Sequence, residues 1–451
     1  MGDEREMTRR IVVVGGGAAG MGAAGAAKGT DPSAEVIVFT GYEDAAYSPC
    51  GIPYVHGREI ASFESLFMAT KQQYVDQGID IRYETTVASI DVKAKTVTTT
   101  DGTVERYDSL VLATGFDYAD PDVPNSDLGG IYYVKNIRQA MEWDKVLDTV
   151  KTAVVDEATP LGAEMVTALA HRGIETHLVD PAPWAMSSAT DPDIMEPVQE
   201  SWIEMGAKLH FNTKVTGFVG DGGKLREVTT SQGGIQADLV VVATKKVPNV
   251  ELATAAGLKT GMSGGLIVDG RMRTSVSGVY AAGDCTEIPH GVSNVPIQGL
   301  SGSHAYAQGK VAGVNAAGGT REYQAVYVPW GMVAGKWMIG GVSFSETLAT
   351  ALGVPFVVGN AQGISRARYY PDVKPVKVKL LAEPEHLRLI GAQLVGGEGI
   401  KERADFLAMA VRTGITINDL ATMENVYSPP IGALNEPISL AAQNALSKLG
   451  K

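Results

Sequence analysis

The sequence predicts an α/β protein built from two parallel-sheet domains, each opened by a βαβ unit, with an α+β domain at the C-terminal end. Three observations carry that prediction. The apolar run Ile11-Val12-Val13-Val14 passes directly into Gly15-Gly16-Gly17-Ala18-Ala19-Gly20 and an Ala/Gly-rich helical stretch to about residue 28, with a second strand at 36–39. A similar unit recurs inside the chain: a strand at 152–155, a helix over about 161–172, and a strand at 175–179 that ends at Asp180. Beyond Tyr323 the pattern changes. Residues 326–342, 376–381 and 387–395 alternate like antiparallel strands, while 401–413 and 436–448 read as helices.

The first glycine run has glycine at all three positions of G-x-G-x-x-G. In strand–turn–helix context these permit a tight turn, backbone approach to a pyrophosphate, and close helix–strand packing. That makes the first domain Rossmann-like. Two more buried-strand patterns end in small residues: 108–115, closing on Ala113-Thr114-Gly115, and 238–244, which repeats its apolar character. Residues 277–285 form a short strand closing on Gly283-Asp284, followed by a helix from Gly302 to about Ala316. The domains expected are 8–115 with 255–325, then 116–254, then 326–451.

Composition narrows the function. The 451 residues carry 38 basic against 51 acidic side chains, a net charge of −13, and the sequence pI is near 5.1. Such a surface repels a phosphate backbone, so nucleic acid is not expected as a partner. Two cysteines, Cys50 and Cys285, are too few for a disulfide framework and too scattered for a zinc or iron–sulfur site. No apolar run reaches the length of a membrane span, and the opening MGDEREMTRR lacks the apolar region of a secretory signal. The expectation is a cytoplasmic protein.

Tyr47-Ser48-Pro49-Cys50-Gly51-Ile52-Pro53-Tyr54 places one cysteine between a proline and a glycine. That suits a turn opening a helix, whose N–H groups and positive end favour a thiolate. A buried, inert thiol is the ordinary fate of a lone cysteine, and Cys285, beside Asp284, is read that way.

GGGAAG after the first strand, SPCGIPY, ATG and TSVSGVYAAGDC occur in this order. Together they resemble the flavoprotein disulfide reductases, specifically the single-cysteine branch of coenzyme A disulfide reductases, NADH oxidases and sulfur or polysulfide reductases. The resemblance covers nearly the whole chain. It implies two Rossmann-like dinucleotide-binding domains plus a C-terminal α+β dimerisation domain, and FAD in the first domain. The pyrophosphate would lie against Gly15, Gly17 and Gly20, with Ala18 and Ala19 in the same loop. Ala113-Thr114-Gly115 would line the cofactor, and Gly283-Asp284 would hold the ribityl chain. Ala18 and Ala19 stand where the peroxidase relatives carry a histidine, which argues against a peroxidase. Where the family has a glutamate for the adenosine ribose this chain has Thr40, with Glu43 in the next turn as a substitute.

The resemblance places Cys50, with Pro49 before it, beside the flavin. Its thiolate would attack a disulfide or persulfide, and the substrate's own thiol would complete a mixed disulfide. Glu424-Asn425-Val426-Tyr427-Ser428-Pro429-Pro430 and Arg368-Tyr369-Tyr370-Pro371 look like the branch's tyrosine elements. In a family-type homodimer Tyr427, and Tyr369 or Tyr370, would act as hydrogen-bond donors to a leaving thiolate across the interface; core or interface packing is the alternative.

The second unit departs from the pattern. Relatives carry G-x-G-x-x-G where this chain reads Val155-Asp156-Glu157-Ala158-Thr159-Pro160-Leu161-Gly162, keeping only Gly162. The side chain of Thr159 and the charges of Asp156 and Glu157 oppose a pyrophosphate, and Lys245 replaces a glycine of the relatives. Glu164, and Asp180 at the strand end, fit an NADH site of the family type. Three readings stay open: a reductase of coenzyme A disulfide, persulfide or polysulfide, or an NADH oxidase, fed by NADH or NADPH with Lys245 or Lys246 assisting; a flavoprotein handling thiols without nicotinamide, as thiol oxidase, disulfide-cleaving enzyme or reductase fed by a protein donor; and a non-catalytic flavin-bearing subunit or redox sensor.

Overall fold

The computed structural model describes residues 8–298 and 301–450. The chain divides into two compact units: 1–52 with 62–119 and 245–326, and 53–61 with 120–244 and 327–451. Residues 116–119 and 245–254, read from the sequence as part of the middle domain, lie in the first unit. They form a ribbon there, Phe116–Tyr118 against Lys246–Pro248.

The first unit is organised by a five-stranded parallel sheet in the order Val279–Ala281, Ser109–Leu112, Arg10–Val14, Glu35–Phe39, Ile79–Arg82. Ile11, Val12, Val13, Leu110, Val111 and Leu112 are fully buried, as expected when helices cover both faces of a parallel sheet. The chain leaves Arg10–Val14 for a neighbour on one side and later returns to the other, so the carboxyl end of that strand is a switch point, where such sheets bind ligands. Helices Ala18–Thr30 and Gly302–Ala316 lie against each other on small residues. A Cβ on Gly309 would overlap the Ala19 carbonyl oxygen, and one on Gly313 that of Ala23.

The second unit repeats the plan. Its parallel sheet runs Lys208–His210, Glu175–Val179, Thr152–Asp156, Leu239–Val242, Ile131–Tyr133. Its remaining part is an antiparallel sheet ordered Pro329–Ala334, Trp337–Ser343, Leu389–Gly396, Pro375–Ala382, Val357–Ile364, with helices Ile400–Thr413 and Pro437–Lys448. Within this unit Asp191 ties the two parts together. Its carboxylate accepts from Lys379 Nζ at 3.1 Å, Thr347 N at 2.9 Å and Gln393 Nε2 at 2.5 Å.

The strand Val357–Ile364 was not anticipated, because its two glycines and polar residues interrupt the alternation. Each parallel sheet also has a three-stranded antiparallel companion, Val87–Asp91/Thr96–Thr99/Val104–Arg106 and Val215–Asp221/Lys224–Thr230/Gly233–Gln236, that went unread. No helix among the described residues is long and apolar enough to cross a membrane.

Two substitutions test the helix contact. Gly309→Ala forces a Cβ onto backbone and is expected to lower stability by about 1–3 kcal/mol, read as a lower Tm. Gly25→Ala, on the same helix pair but with nothing within 4 Å of the new Cβ, is expected to raise stability by up to about 1 kcal/mol.

Candidate active site

The first glycine loop is built on missing side chains. Gly15 takes φ +116°, and a Cβ there would overlap the Ala113 carbonyl oxygen at the end of the neighbouring strand. A Cβ on Gly20 would overlap the Gly15 carbonyl oxygen. Gly17, by contrast, caps helix Ala18–Thr30 without a side-chain bond and faces open space, with nothing within 4 Å of a Cβ. The helix N-terminus thus opens onto a clear backbone surface, the arrangement that receives a phosphate. Ala18 is exposed and Ala19 buried beneath it.

Cys50 hangs on this loop. Ala46 N donates to Gly16 O at 2.9 Å, and Ser48 N to Leu66 O at 2.9 Å, so the strand-like approach to the cysteine is pinned from both sides. Pro49–Gly51 is a 3₁₀ turn leading into helix Ile52–His56, as the proline and glycine suggested. A Cβ on Gly51 would collide with Leu66 Cδ2, so the glycine allows the turn to sit down on its support. Cys50 and Pro49 are exposed. Cys285 is the reverse: fully buried, its Sγ 3.4 Å from Ala282 O, with burial pushing the thiol pKa up. That is the structural role read for it.

The Gly283-Asp284 turn completes the first unit's site. Gly283 takes φ +85°, and its N–H donates to Gln308 Oε1 at 2.8 Å. Asp284 Oδ2 accepts from Lys246 Nζ at 2.8 Å, and the same ammonium lies 4.2 Å from the Phe116 ring centre. Lys246, read from the sequence as an aid to a nicotinamide nucleotide, is therefore engaged with Asp284; Lys245 is exposed. Thr114 and Gly115 are locked to Asn249 by three bonds: Thr114 Oγ1 to Asn249 O at 2.6 Å, Asn249 Nδ2 to Thr114 O at 3.2 Å, and Asn249 N to Gly115 O at 3.0 Å. Thr40 is buried and its N–H donates to Arg82 O, whereas Glu43 is exposed.

These residues fit FAD. The open surface at Gly17 is one that a side chain would fill, while Gly15 and Gly20 let the loop close behind it. Beside Asp284, Gln298 Oε1 is buried with no hydrogen-bond partner among the described residues, in a recess it shares with Gly283 and His304. Gln298 and Gln308 were missed by sequence reasoning, and Lys246 was read toward the second domain's nucleotide; nothing local marks a lysine or glutamine as facing a site assembled from segments this far apart.

In the second unit the equivalent loop follows the same backbone path with different side chains. A Cβ on Gly162 would overlap the Glu157 carbonyl oxygen, just as Gly20 meets Gly15. Glu157 takes φ +70°, a region that favours glycine. Thr159 caps helix Pro160–His171: its Oγ1 donates to Ala243 O at 2.6 Å and accepts from Gly162 N at 3.4 Å. Asp180 is buried, and its oxygens accept from Ala158 N and Ala182 N, both at 2.7 Å. Burial raises its pKa, against the pull of those two bonds. Asp156 is pushed to about 7 by burial, then by the charges of Glu157 and Asp180.

Glu164 is pushed to about 7 by burial and accepts a hydrogen bond from Tyr54 Oη at 3.2 Å. Close by in sequence, His56 Nδ1 is 2.9 Å from Asp144, which Arg58 also holds at 2.9 Å. The Tyr369 and Tyr427 hydroxyls are 3.1 Å apart, and this bond raises the Tyr427 pKa. Tyr369, Tyr370 and Tyr427 are all exposed, as are Val426, Ile431 and Leu434.

Comparison with known proteins agrees with this geometry. Residues 9–316 match the family model for pyridine nucleotide-disulphide oxidoreductases, and 331–436 the model for that family's dimerisation domain. An NADH oxidase of Methanocaldococcus jannaschii is 35% identical over 448 residues, 98% of this chain and 99% of its own. A CoA-dependent NAD(P)H sulfur oxidoreductase of Pyrococcus furiosus is 30% identical, covering 96% of this chain and 98% of its own. The solved NAD-dependent persulfide reductase from A. fulgidus superimposes with a TM-score of 0.94 at 30% identity, covering 98% of this chain and 84% of that one.

The raised carboxyls of Asp156 and Glu164 make stability depend on pH. Folded, both keep a proton to about 7, while their ordinary values are 3.8 and 4.5. Between those limits the folded state holds more protons, so stability is full below about pH 4 for these groups and is lost as pH rises through 7. Asp156→Asn is expected to flatten the fall in denaturation midpoint between pH 5 and 8, removing about 3 kcal/mol of pH dependence.

Proposed function

The chain belongs to the pyridine nucleotide-disulphide oxidoreductase family, and from that membership we propose that it is an FAD-dependent thiol–disulfide oxidoreductase of the coenzyme A disulfide or persulfide type. The family is FAD-dependent and enzymatic. The observation that carries the finer reading is the exposed Cys50 in a turn tied to the first glycine loop, in a chain whose other cysteine is sealed in the core. With one accessible thiol, the second sulfur of any disulfide intermediate comes from the substrate. The names of relatives, CoA-dependent for the Pyrococcus furiosus protein and persulfide for the A. fulgidus one, support a small thiol as that partner.

Bound FAD would supply the two electrons that a disulfide reduction requires. The Cys50 thiolate attacks one sulfur of a coenzyme A disulfide; the S–S bond breaks, one coenzyme A thiolate leaves, and Cys50–S–S–CoA forms. Two electrons then cleave this mixed disulfide, releasing the second thiolate and restoring Cys50. With a persulfide the same attack falls on the outer sulfur and the leaving group is a thiolate. Gly15, Gly17, Ala18, Ala19 and Gly20 would hold the pyrophosphate, Thr40 and Glu43 would serve the adenosine ribose, and Pro49, Ala113, Thr114, Gly115, Gly283 and Asp284 would hold the remainder. Lys246 sets a positive charge against Asp284.

In this reading residues 8–119 with 245–325 serve FAD, 120–244 form the second dinucleotide-type domain, and 326–451 the dimerisation domain. A homodimer is favoured by the exposed Tyr369, Val426, Tyr427, Ile431 and Leu434, apolar surface of the kind that marks an interface. Tyr427 with Tyr369, and Tyr370 beside them, would then donate hydrogen bonds to a leaving thiolate of the neighbouring subunit.

The test uses the purified flavoprotein reduced anaerobically with dithionite. Coenzyme A disulfide is expected to reoxidise the flavin and release free coenzyme A, counted with a thiol reagent. Cys50→Ser is expected to keep its flavin and lose at least about a hundredfold in the rate of that reoxidation, the scale of removing a nucleophile. Equal rates in both proteins would sink the proposal.

A further inference from the structure

The chain carries two dinucleotide-type loops on one backbone plan, and comparing them inside the same molecule tests whether the second one fits its family's nucleotide. At the first loop Gly17 leaves the helix N-terminus uncovered. At the second, the side chain at the matching position, Thr159, bridges Ala243 O and Gly162 N. Pro160 follows and brings no N–H to the first turn. Further back, Ala158 N is already held by the Asp180 carboxylate at 2.7 Å. Two backbone donors at this loop, Ala158 N and Gly162 N, are thus engaged by the protein's own oxygens, and Pro160 removes a third.

Charge acts in the same direction. Asp156, Glu157 and Asp180 converge at the strand end, close enough to raise the proton affinity of Asp156, with Lys214 offsetting them in part. A phosphate brought to this loop would meet Glu157 and Asp180, and Asp156 whenever it is ionised, at about a kcal/mol or more per close like-charge contact. Asp180, the residue suited to a ribose hydroxyl, is turned into the loop and buried, its two oxygens bonded to backbone.

We infer that the second dinucleotide-type domain of this protein does not take NADH or NADPH, so that the electron donor to the proposed flavin site is not a pyridine nucleotide. The inference rests on the thiol–disulfide reading for its context, but its geometry does not involve Cys50. Conservation of the fold with loss of its ligand explains why Gly162 alone survives from the glycine motif. The third glycine serves helix–strand packing, which the fold still needs; the turn of the first is made by Glu157 at φ +70°, and the second is the one that serves approach of the nucleotide.

The experiment is calorimetric titration of the purified flavoprotein with NADH and NADPH, paired with anaerobic absorbance at the flavin band. Neither nucleotide is expected to bind through millimolar concentration, and neither bleaches a flavin that dithionite reduces completely. The variant Glu157→Gly/Thr159→Gly, which recreates the open loop, is expected to bind NADH at least about tenfold more tightly than the parent. Its Tm and flavin content report whether it is folded, and Thr159→Gly alone provides a second, milder variant.

Saturable binding of either nucleotide to the parent below about 100 µM, or bleaching at stoichiometric amounts, overturns the inference and leaves the Cys50 reading standing. No gain in either folded variant overturns the assignment to these side chains. Failure of coenzyme A disulfide to reoxidise the dithionite-reduced protein bears on the thiol reading alone.

Discussion

The close approach of backbone to backbone at the end of strand Arg10–Val14 is the constraint on which the rest of the first unit depends. Gly15 lies against Ala113 O, Gly20 against Gly15 O, and Gly309 against Ala19, and at each place a single methyl group would overlap a carbonyl. Because nothing intervenes, helix Ala18–Thr30 begins at the strand end and its N–H groups face outward at the switch point. The same loop holds the cysteine segment, through Ala46 N and Gly16 O. The position of Cys50 is therefore set by an absence of side chains, and the small residues of Gly302–Ala316 extend that absence to the far side of the helix.

The second unit shows which part of that constraint belongs to the fold and which to the ligand. Gly162 repeats the contact of Gly20, so a helix packs just as closely on strand Thr152–Asp156. Glu157 occupies the turn that Gly15 makes and accepts a left-handed φ of +70°, at a cost on the order of a kcal/mol for a non-glycine residue. The turn survives because its N–H bonds Val179 O at 2.8 Å and Asp180 braces Ala158. A dinucleotide fold can thus persist by internal hydrogen bonding after the surface that would touch the nucleotide has changed; the family fold alone does not specify the ligand.

Charge is distributed to match. Lys246 sits on Asp284 where the first unit's site forms, and the Asp156, Glu157 and Asp180 group sits at the second loop. A net charge of −13 says nothing of this division. It arises because sequence-distant segments end at the same sheet edge.

Local sequence determined a great deal. The strands at 11–14, 36–39 and 175–179 and helix Gly302–Ala316 follow from apolar runs and small-residue patterns, since parallel strands buried on both faces need continuous apolar residues. The glycine motif, the Pro49–Gly51 turn and the damaged second loop were legible for the same reason: each is a contiguous segment whose backbone requirements select residue types. The strand Val357–Ile364 and the two three-stranded companions were not legible, because the strands are interrupted by glycine or are short and largely polar, and their pairing supplies the missing stability. Tertiary structure alone decided that Lys246 meets Asp284, that Tyr54 meets Glu164 and that Asp180 is spent on its own loop. Those facts depend on which strand ends come together and how deeply each carboxyl is buried, and neither distance nor burial is encoded by neighbours along the chain.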